Sequence, residues 1–269
     1  MTATSQIAAQ NKAQNNAPNN AQSAGKLLYW LECKSELLKA LRTPQFSAPT
    51  IAFPVVFYLI FGVILAGDGN TGRALYLLAT FGMFGALGPA LFGFGVNVAN
   101  ERNNGWLDLK KISPMPIAAY ILAKLFMAAV FGLIVICLLT TIAVLFGGLE
   151  ITPVRWLLMT TTQLLCAVPF ALMGMAIGFR VSTEAAPAIV NILFMLMSVF
   201  GGLWLPITLF PDIIQKVAWI LPTFHGGQLA LASTGLTPVA GPITHAALLA
   251  GFAGIMALFA ARSYRTMTS

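Results

Sequence analysis

Apolar residues run along this chain in long blocks, and the charges that separate the blocks are few. No charge lies between Arg42 and Asp68, Arg73 and Glu101, Lys124 and Glu150, Arg155 and Arg180, Glu184 and Asp212, or Lys216 and Arg262. A hydrocarbon core about 30 Å thick is crossed by ~20 apolar residues of helix, and every block is long enough for that. The blocks are continuous rather than alternating, which selects helices over a barrel. The pattern predicts an all-α membrane protein with six transmembrane helices, at roughly 47–66, 75–98, 116–146, 154–179, 187–206 and 242–261. The third is longer than one crossing needs and should tilt or extend beyond the lipid. Lys124, near its start, is expected to snorkel to the interface.

Two shorter elements flank the spans. Residues 26–43 read as an amphipathic helix, with Leu27, Trp30, Leu31, Leu37, Leu38 and Leu41 on one face and Glu32, Ser35, Glu36 and Lys39 opposite. Lys34 intrudes on the apolar face, where its stem can follow the membrane surface. The expectation is an interfacial helix in the cytoplasmic leaflet that also meets a cytoplasmic partner through Trp30, Leu31, Glu32, Lys34, Glu36 and Lys39. Before the last span, residues 207–238 hold apolar segments too short to cross. One helix is expected over 212–221, a break at Pro222 to Gly227, and another helix from Gln228 to Ser233: a re-entrant hairpin on the outer side. Residues 44–265 thus form one transmembrane domain.

Composition agrees with this division. The chain is 58% hydrophobic and only 9% charged, against roughly 25% in soluble domains. With six spans both termini share a side, and that side collects every Lys and Arg except Arg73, Arg155 and Lys216. The positive-inside rule places it in the cytoplasm. The net charge of +7 is then topological bias and no nucleic-acid surface. Residues 1–25, rich in Ala, Asn and Gln, read as a disordered tail without the apolar stretch of a cleaved secretory signal.

The densest charge falls in the loop 99–116, between spans two and three, where Glu101, Arg102, Asp108, Lys110 and Lys111 surround Trp106. The basic residues help fix topology, but acidic residues contribute little to it. A mixed-charge loop carrying an aromatic suits docking into a groove on another protein. Glu-Arg-x-x-Gly at Glu101, Arg102 and Gly105, the apolar Leu107 and Leu109, Ser113-Pro114, and then Tyr120 and Lys124 in the next span resemble the corresponding loop of ABC-2 type permeases. The resemblance extends to the helix before span one, the six-span layout and the Pro-rich outer segment. It implies a half-transporter that dimerises, a homodimer before a heterodimer, and binds two copies of a cytoplasmic ATPase. ATP and Mg would sit on that partner, and the loop residues Glu101, Arg102, Gly105, Trp106, Asp108, Lys110, Lys111, Ser113 and Pro114 would couple it to transport. The family resemblance also implies a bacterial cytoplasmic membrane and export of an amphiphilic drug, peptide, lipid or glycan.

Polar residues inside the spans are the candidates for a path or gate: Asn97, Thr161, Asn191 and Ser198, with Trp204, Pro206 and Phe224 at the outer end. Hydroxyls in helices often bond back to their own carbonyls, which is the competing account of Thr161. Span two carries Gly82, Gly85, Gly88, Gly93 and Gly95, read first as close helix packing and second as a flexible wall beside a path. The chain has no P-loop, no His-Glu-x-x-His and no Gly-x-Ser-x-Gly, so it is not expected to be an enzyme or to bind a cofactor or metal. Cys33, Cys137 and Cys166 are scattered. His225 and His245 are far apart in the chain and read as structural. A membrane scaffold, or a subunit of a membrane enzyme without a transport path, is the alternative function.

Overall fold

A computed structural model describes residues 27–65, 71–107, 109 and 116–268, with side chains as far as Tyr264. The tail 1–25, the turn at 66–70, and Asp108, Lys110, Lys111, Ser113 and Pro114 of the charged loop lie outside the described residues. Helices make up the fold: α1 over 27–41, α2 (Pro44–Tyr58) with a π-helical continuation Leu59–Ile64, α3 (Thr71–Asn103), α4 (Ile117–Leu145), α5 (Pro153–Cys166), α6 (Val168–Gly178), α7 (Ala186–Phe200), α8 (Asp212–Ala218), α9 (Pro222–Ser233) and α10 (Pro242–Thr268).

Five helical stretches among the described residues are long and apolar enough to cross a bilayer: Pro44–Ile64, Thr71–Asn103, Ile117–Leu145, Pro153–Gly178 and Pro242–Tyr264. The protein is therefore a multi-pass membrane protein. The expected fifth span is the 15-residue helix α7. At 1.5 Å per residue it reaches only about 22 Å, because Gly201 and Gly202 end it, the latter in a left-handed turn with φ 76°. The expected fourth span is one apolar helical stretch, Pro153–Gly178, divided at Ala167, where Pro169 in the first turn of α6 brings no backbone donor.

α3 is the hub. It is apolar all round and buried along most of its length, packed by α2, α4, α5, α6, α7 and α9. Its glycines point to different neighbours. A Cβ on Gly82 would meet Gln163 of α5 at 2.6 Å, one on Gly85 would meet Val135 of α4 at 2.4 Å, and one on Gly95 would meet Val190 of α7 at 2.6 Å. Close packing is thus the role these glycines fill. The tightest crossing comes from Gly174 and Gly178 of α6, a small-xxx-small pair whose added Cβ atoms would lie 2.6 Å from the Leu91 carbonyl and 2.7 Å from the Phe94 carbonyl.

α3 also runs further than its apolar block predicts, to Asn103. Glu101 and Arg102 are therefore in the last helical turn, not in an open loop. Gly105, at φ 71°, then turns the chain away. The outer segment departs from expectation as well. Its first helix is shorter, Asp212–Ala218, and Pro222 to Gly227 start a helix rather than break one. Pro222 takes the first helical position, where no backbone donor is needed. Gly226 and Gly227 then let α9 press against Met83 and Leu203, each within 3 Å of where a Cβ would stand.

Candidate functional site

The residues that gather most chemistry lie where α1, the end of α3 and the start of α4 meet. Glu36, on the polar face of α1, is turned into the protein and is 5% exposed, while Leu27, Trp30, Leu31, Leu38 and Leu41 face outward. This inverts the arrangement of a soluble amphipathic helix. Leu37 and Ala40 flank Glu36 and pack against Met127 and Phe131 of α4, and the Trp30 ring meets Phe126 edge-on at 6.4 Å. α1 is thereby laid along α4, and its carboxylate falls beside Lys124.

Lys124 does not snorkel. Its side chain is wholly buried, with Nζ 2.5 Å from Glu36 Oε1 and 3.1 Å from Glu101 Oε1. Lys124 sits more than one turn inside α4, and two carboxylates reach it before water does. Lys39 Nζ makes a further ion pair with Glu101 Oε1 and lies 3.9 Å from Glu36 Oε2. The Tyr120 hydroxyl donates to Glu101 Oε2 at 2.6 Å. The two ammoniums balance the two carboxylates, and Glu101 is contacted on both oxygens. Burying one ion costs about several kcal/mol, which only such satisfied geometry offsets, and removing one partner typically costs ~3–5 kcal/mol.

The cluster has one exposed edge. Lys39 is partly exposed, and its ammonium stands 5.4 Å from the centre of the Trp106 ring. Trp106 itself is 51% exposed. Arg102 donates from Nη2 to the Val181 carbonyl at 2.7 Å, tying the end of α3 to the turn after α6. Gly105 has no atom within 4 Å of an added Cβ. Of the loop residues expected to act together, the structure thus brings Glu101, Arg102 and Trp106 to one end of the bundle, with Glu101 facing inward. Glu36 and Lys39 join them, whereas Trp30 and Leu31 face away and Lys34 is exposed. Glu32 is half-buried.

The path and gate candidates do not form one site. Asn191 lines a cavity of about 180 Å³ between α2, α3 and α7, together with Gln45, Thr50, Phe53, Phe84 and Phe92. Trp204 belongs to an aromatic ladder on the outer side of this cavity. Its ring lies 4.6 Å from Phe57, which stacks with Phe53, Phe61 and Phe81. Phe84 and Phe194 stack at 4.6 Å in the same wall. Ser198 is buried and bonds back to the Phe194 carbonyl at 2.6 Å, while Thr161 lies on the exposed face of α5. Asn97 is half-buried near the C-terminal end of α3, and Pro206 leads into the 3-10 turn Ile207–Leu209. Phe224 is buried in a separate small cluster with Ile207 and Ala218.

Sequence reasoning missed two features, the Gly174–Gly178 pair and the meeting of His225 with His245, and left the part played by Gln163 open among the polar residues of span four. Gln163 is buried in α5, donating to the Ala79 carbonyl at 2.9 Å and leaving its own Oε1 unpartnered; a Gln inside an apolar block was the available signal. The Gly174–Gly178 pair is visible as a spacing. The closeness of His225 and His245, whose Nδ1 atoms stand 2.9 Å apart, had no signal in the chain, because it depends on how α9 packs on α10. Among the described residues no group of three or more His, Cys, Asp or Glu is placed to hold a metal ion.

Comparison with known proteins agrees with this architecture. The profile of the ABC-2 type transporter family matches residues 28–234, from the start of α1 to just past the end of α9. YvfS of Bacillus subtilis (strain 168), by its name a candidate transport permease, is 26% identical over 197 residues, covering 72% of this chain and 80% of YvfS. The matched region contains the charge cluster, the α3 hub and helices α8 and α9, and the chain belongs to the ABC-2 type transporter family as a membrane permease.

Proposed function

We propose that this chain is the membrane half of an exporter, working as a homodimer energised by a separate ATPase bound in two copies at the cytoplasmic end. The observation that carries the reading is the buried, charge-balanced cluster of Glu36, Lys39, Glu101 and Lys124 beneath the exposed Trp106. Ion pairs held by three helices tie α1, α3 and α4 into one body. A push on Trp106 would then move all three helices together, where a loop on flexible tethers would absorb it.

On this reading both termini and Trp106 are cytoplasmic, in a bacterial cytoplasmic membrane. α7 supplies the fifth of six crossings with the help of the turn that follows it. α1 lies in the inner leaflet with its leucines and Trp30 in lipid, and α8 and α9 form the re-entrant hairpin on the outer side. The aromatic ladder from Phe53 to Trp204 beside Asn191 suits an amphiphilic cargo with a flat or apolar portion. ATP and Mg act on the partner.

The test is reconstitution of the full chain with its co-purified ATPase. Trp106→Ala is expected to lower cargo-stimulated ATP hydrolysis by roughly tenfold or more, the loss expected of an aromatic anchor worth ~2 kcal/mol. The chain should remain inserted and retain its thermal stability. Unchanged stimulation with Trp106→Ala, or transport by the chain alone, would overturn the proposal.

A further inference from the structure

His225 of α9 and His245 of α10 are the only histidines in the chain, and they share one hydrogen bond. The two rings are 4% and 0% exposed. His225 Nε2 lies 3.0 Å from the Trp219 carbonyl, an acceptor, so this nitrogen carries a proton. In the neutral ring His225 Nδ1 is then a bare acceptor, and His245 Nδ1–H donates to it across 2.9 Å. His245 Nε2 is left with a lone pair, buried and without a partner. The tautomers follow from one carbonyl.

Aromatic rings enclose the pair. Trp219 stacks on His245 at 5.6 Å with 23° between planes, and Phe224 meets His245 edge-on at 5.5 Å. Trp219 is itself 38% exposed, so it forms a thin cover between the pair and the surroundings. The ionisable groups on the packed elements are Asp212 and Lys216 of α8, Arg155 and Cys166 of α5, Arg73 and Tyr76 of α3 with Glu101 and Arg102 at its far end, and Arg262 and Tyr264 at the far end of α10. Among the described residues the ring nitrogens bond only to each other and to Trp219. The ion pairs of the described carboxylates involve neither ring.

We propose that His225 and His245 form a buried proton-binding site that latches the outer hairpin to the last membrane helix, and that proton uptake at His245 Nε2 releases it. The first proton enters at the free lone pair and makes an imidazolium in an apolar pocket with no counter-charge, which is costly to keep buried. A second proton would put hydrogens on both Nδ1 atoms and remove the bond between them. The charged rings gain hydration only if α8 and α9 lift from α10. Burial pulls the His225 imidazole below its ordinary value. The closed latch therefore binds fewer protons than the open one, and its stability is present above pH ~6.5 and lost as the pH falls below that value. The latch stands on this geometry alone. That it faces outward rests on the topology proposed above, so the test reads the pair itself and needs neither ATPase nor cargo.

The full chain, purified on a tag without histidine and placed in nanodiscs, is labelled with 15N-histidine. Every signal then comes from this pair. At pH 8 the spectrum should show one Nε2–H and one Nδ1–H ring, and on acidification the two should titrate together. Two rings of the same tautomer, or two independent titrations at the ordinary value, would overturn the proposal. A second readout uses Ala218→Cys, buried beside Phe224, in a chain whose native cysteines are replaced, with a thiol reagent. The ratio of its rate to that of the same protein carrying His245→Phe, which lacks the bond between the rings, should rise about tenfold from pH 8 to pH 5.5, roughly one unit below the ordinary imidazole value. A ratio that stays the same at the two pH values would sink the latch, and the Phe ring keeps the aromatic packing intact for the comparison.

Discussion

Lys124 places its ammonium 2.5 Å from a carboxylate oxygen of Glu36, a residue 88 positions earlier in the chain. The same ammonium reaches Glu101, so one fully buried cation bonds the helix before the first span to the end of the second. Replacing it leaves two buried carboxylates with one ammonium, that of Lys39, between them. Lys124→Met should lower the stability of the detergent-solubilised protein by ~3–5 kcal/mol. Adding Glu36→Gln restores the charge balance and should recover more than half of that loss, as read from thermal unfolding of the single and double variants. Additive losses would show that the two residues are not coupled.

Tyr120→Phe tests a smaller part of the same cluster. It removes one donor to a carboxylate that keeps its two ammonium partners. A hydrogen bond to a charged group contributes about 1.5–3 kcal/mol. The melting temperature should therefore fall, but by less than for Lys124→Met. A larger fall would mean that the hydroxyl supports more than Glu101.

The α3–α6 crossing gives a paired prediction. At Gly174 an added Cβ would stand 2.6 Å from the Leu91 carbonyl, a backbone atom that cannot rotate away. Gly174→Ala should destabilise by about 1–3 kcal/mol through overpacking. At Gly251 of α10 nothing lies within 4 Å. Gly251→Ala should be neutral or stabilise by roughly 0.5–1 kcal/mol, the ordinary helix preference of alanine. Thermal unfolding of the two variants side by side decides the matter, and equal effects would contradict the crossing.

Gln163 is a buried residue with one hydrogen bond made and one acceptor orphaned. Gln163→Met gives up a bond worth ~1 kcal/mol and relieves an orphan that costs ~1–3 kcal/mol. Stability should hold or rise. A variant that is stable yet fails to transport in reconstituted vesicles would assign the free oxygen to the cargo path. One that is stable and transports normally would assign it to packing.

The chain's charge spacing determined a great deal. Blocks free of Lys, Arg, Asp and Glu marked five helices long and apolar enough to cross a bilayer, because a charge in lipid is costly unless it is paired, as Lys124 is inside α4. The amphipathic helix before the first span was legible for a similar reason: its period is local, and the structure has a helix over 27–41. Which way its polar face points was not local. The spacing marked Glu36 as a polar-face residue, but only the packing of Leu37 and Ala40 on α4 turned it toward Lys124. In the same way Gly226-Gly227 reads as a break in isolation and becomes helix once Met83 and Leu203 close on it. His225 and His245 were two unconnected residues until α9 lay on α10. Hydrophobicity along a chain sets what enters the membrane. Pairing between distant polar groups is decided by which helices touch, and that is a property of the assembled bundle.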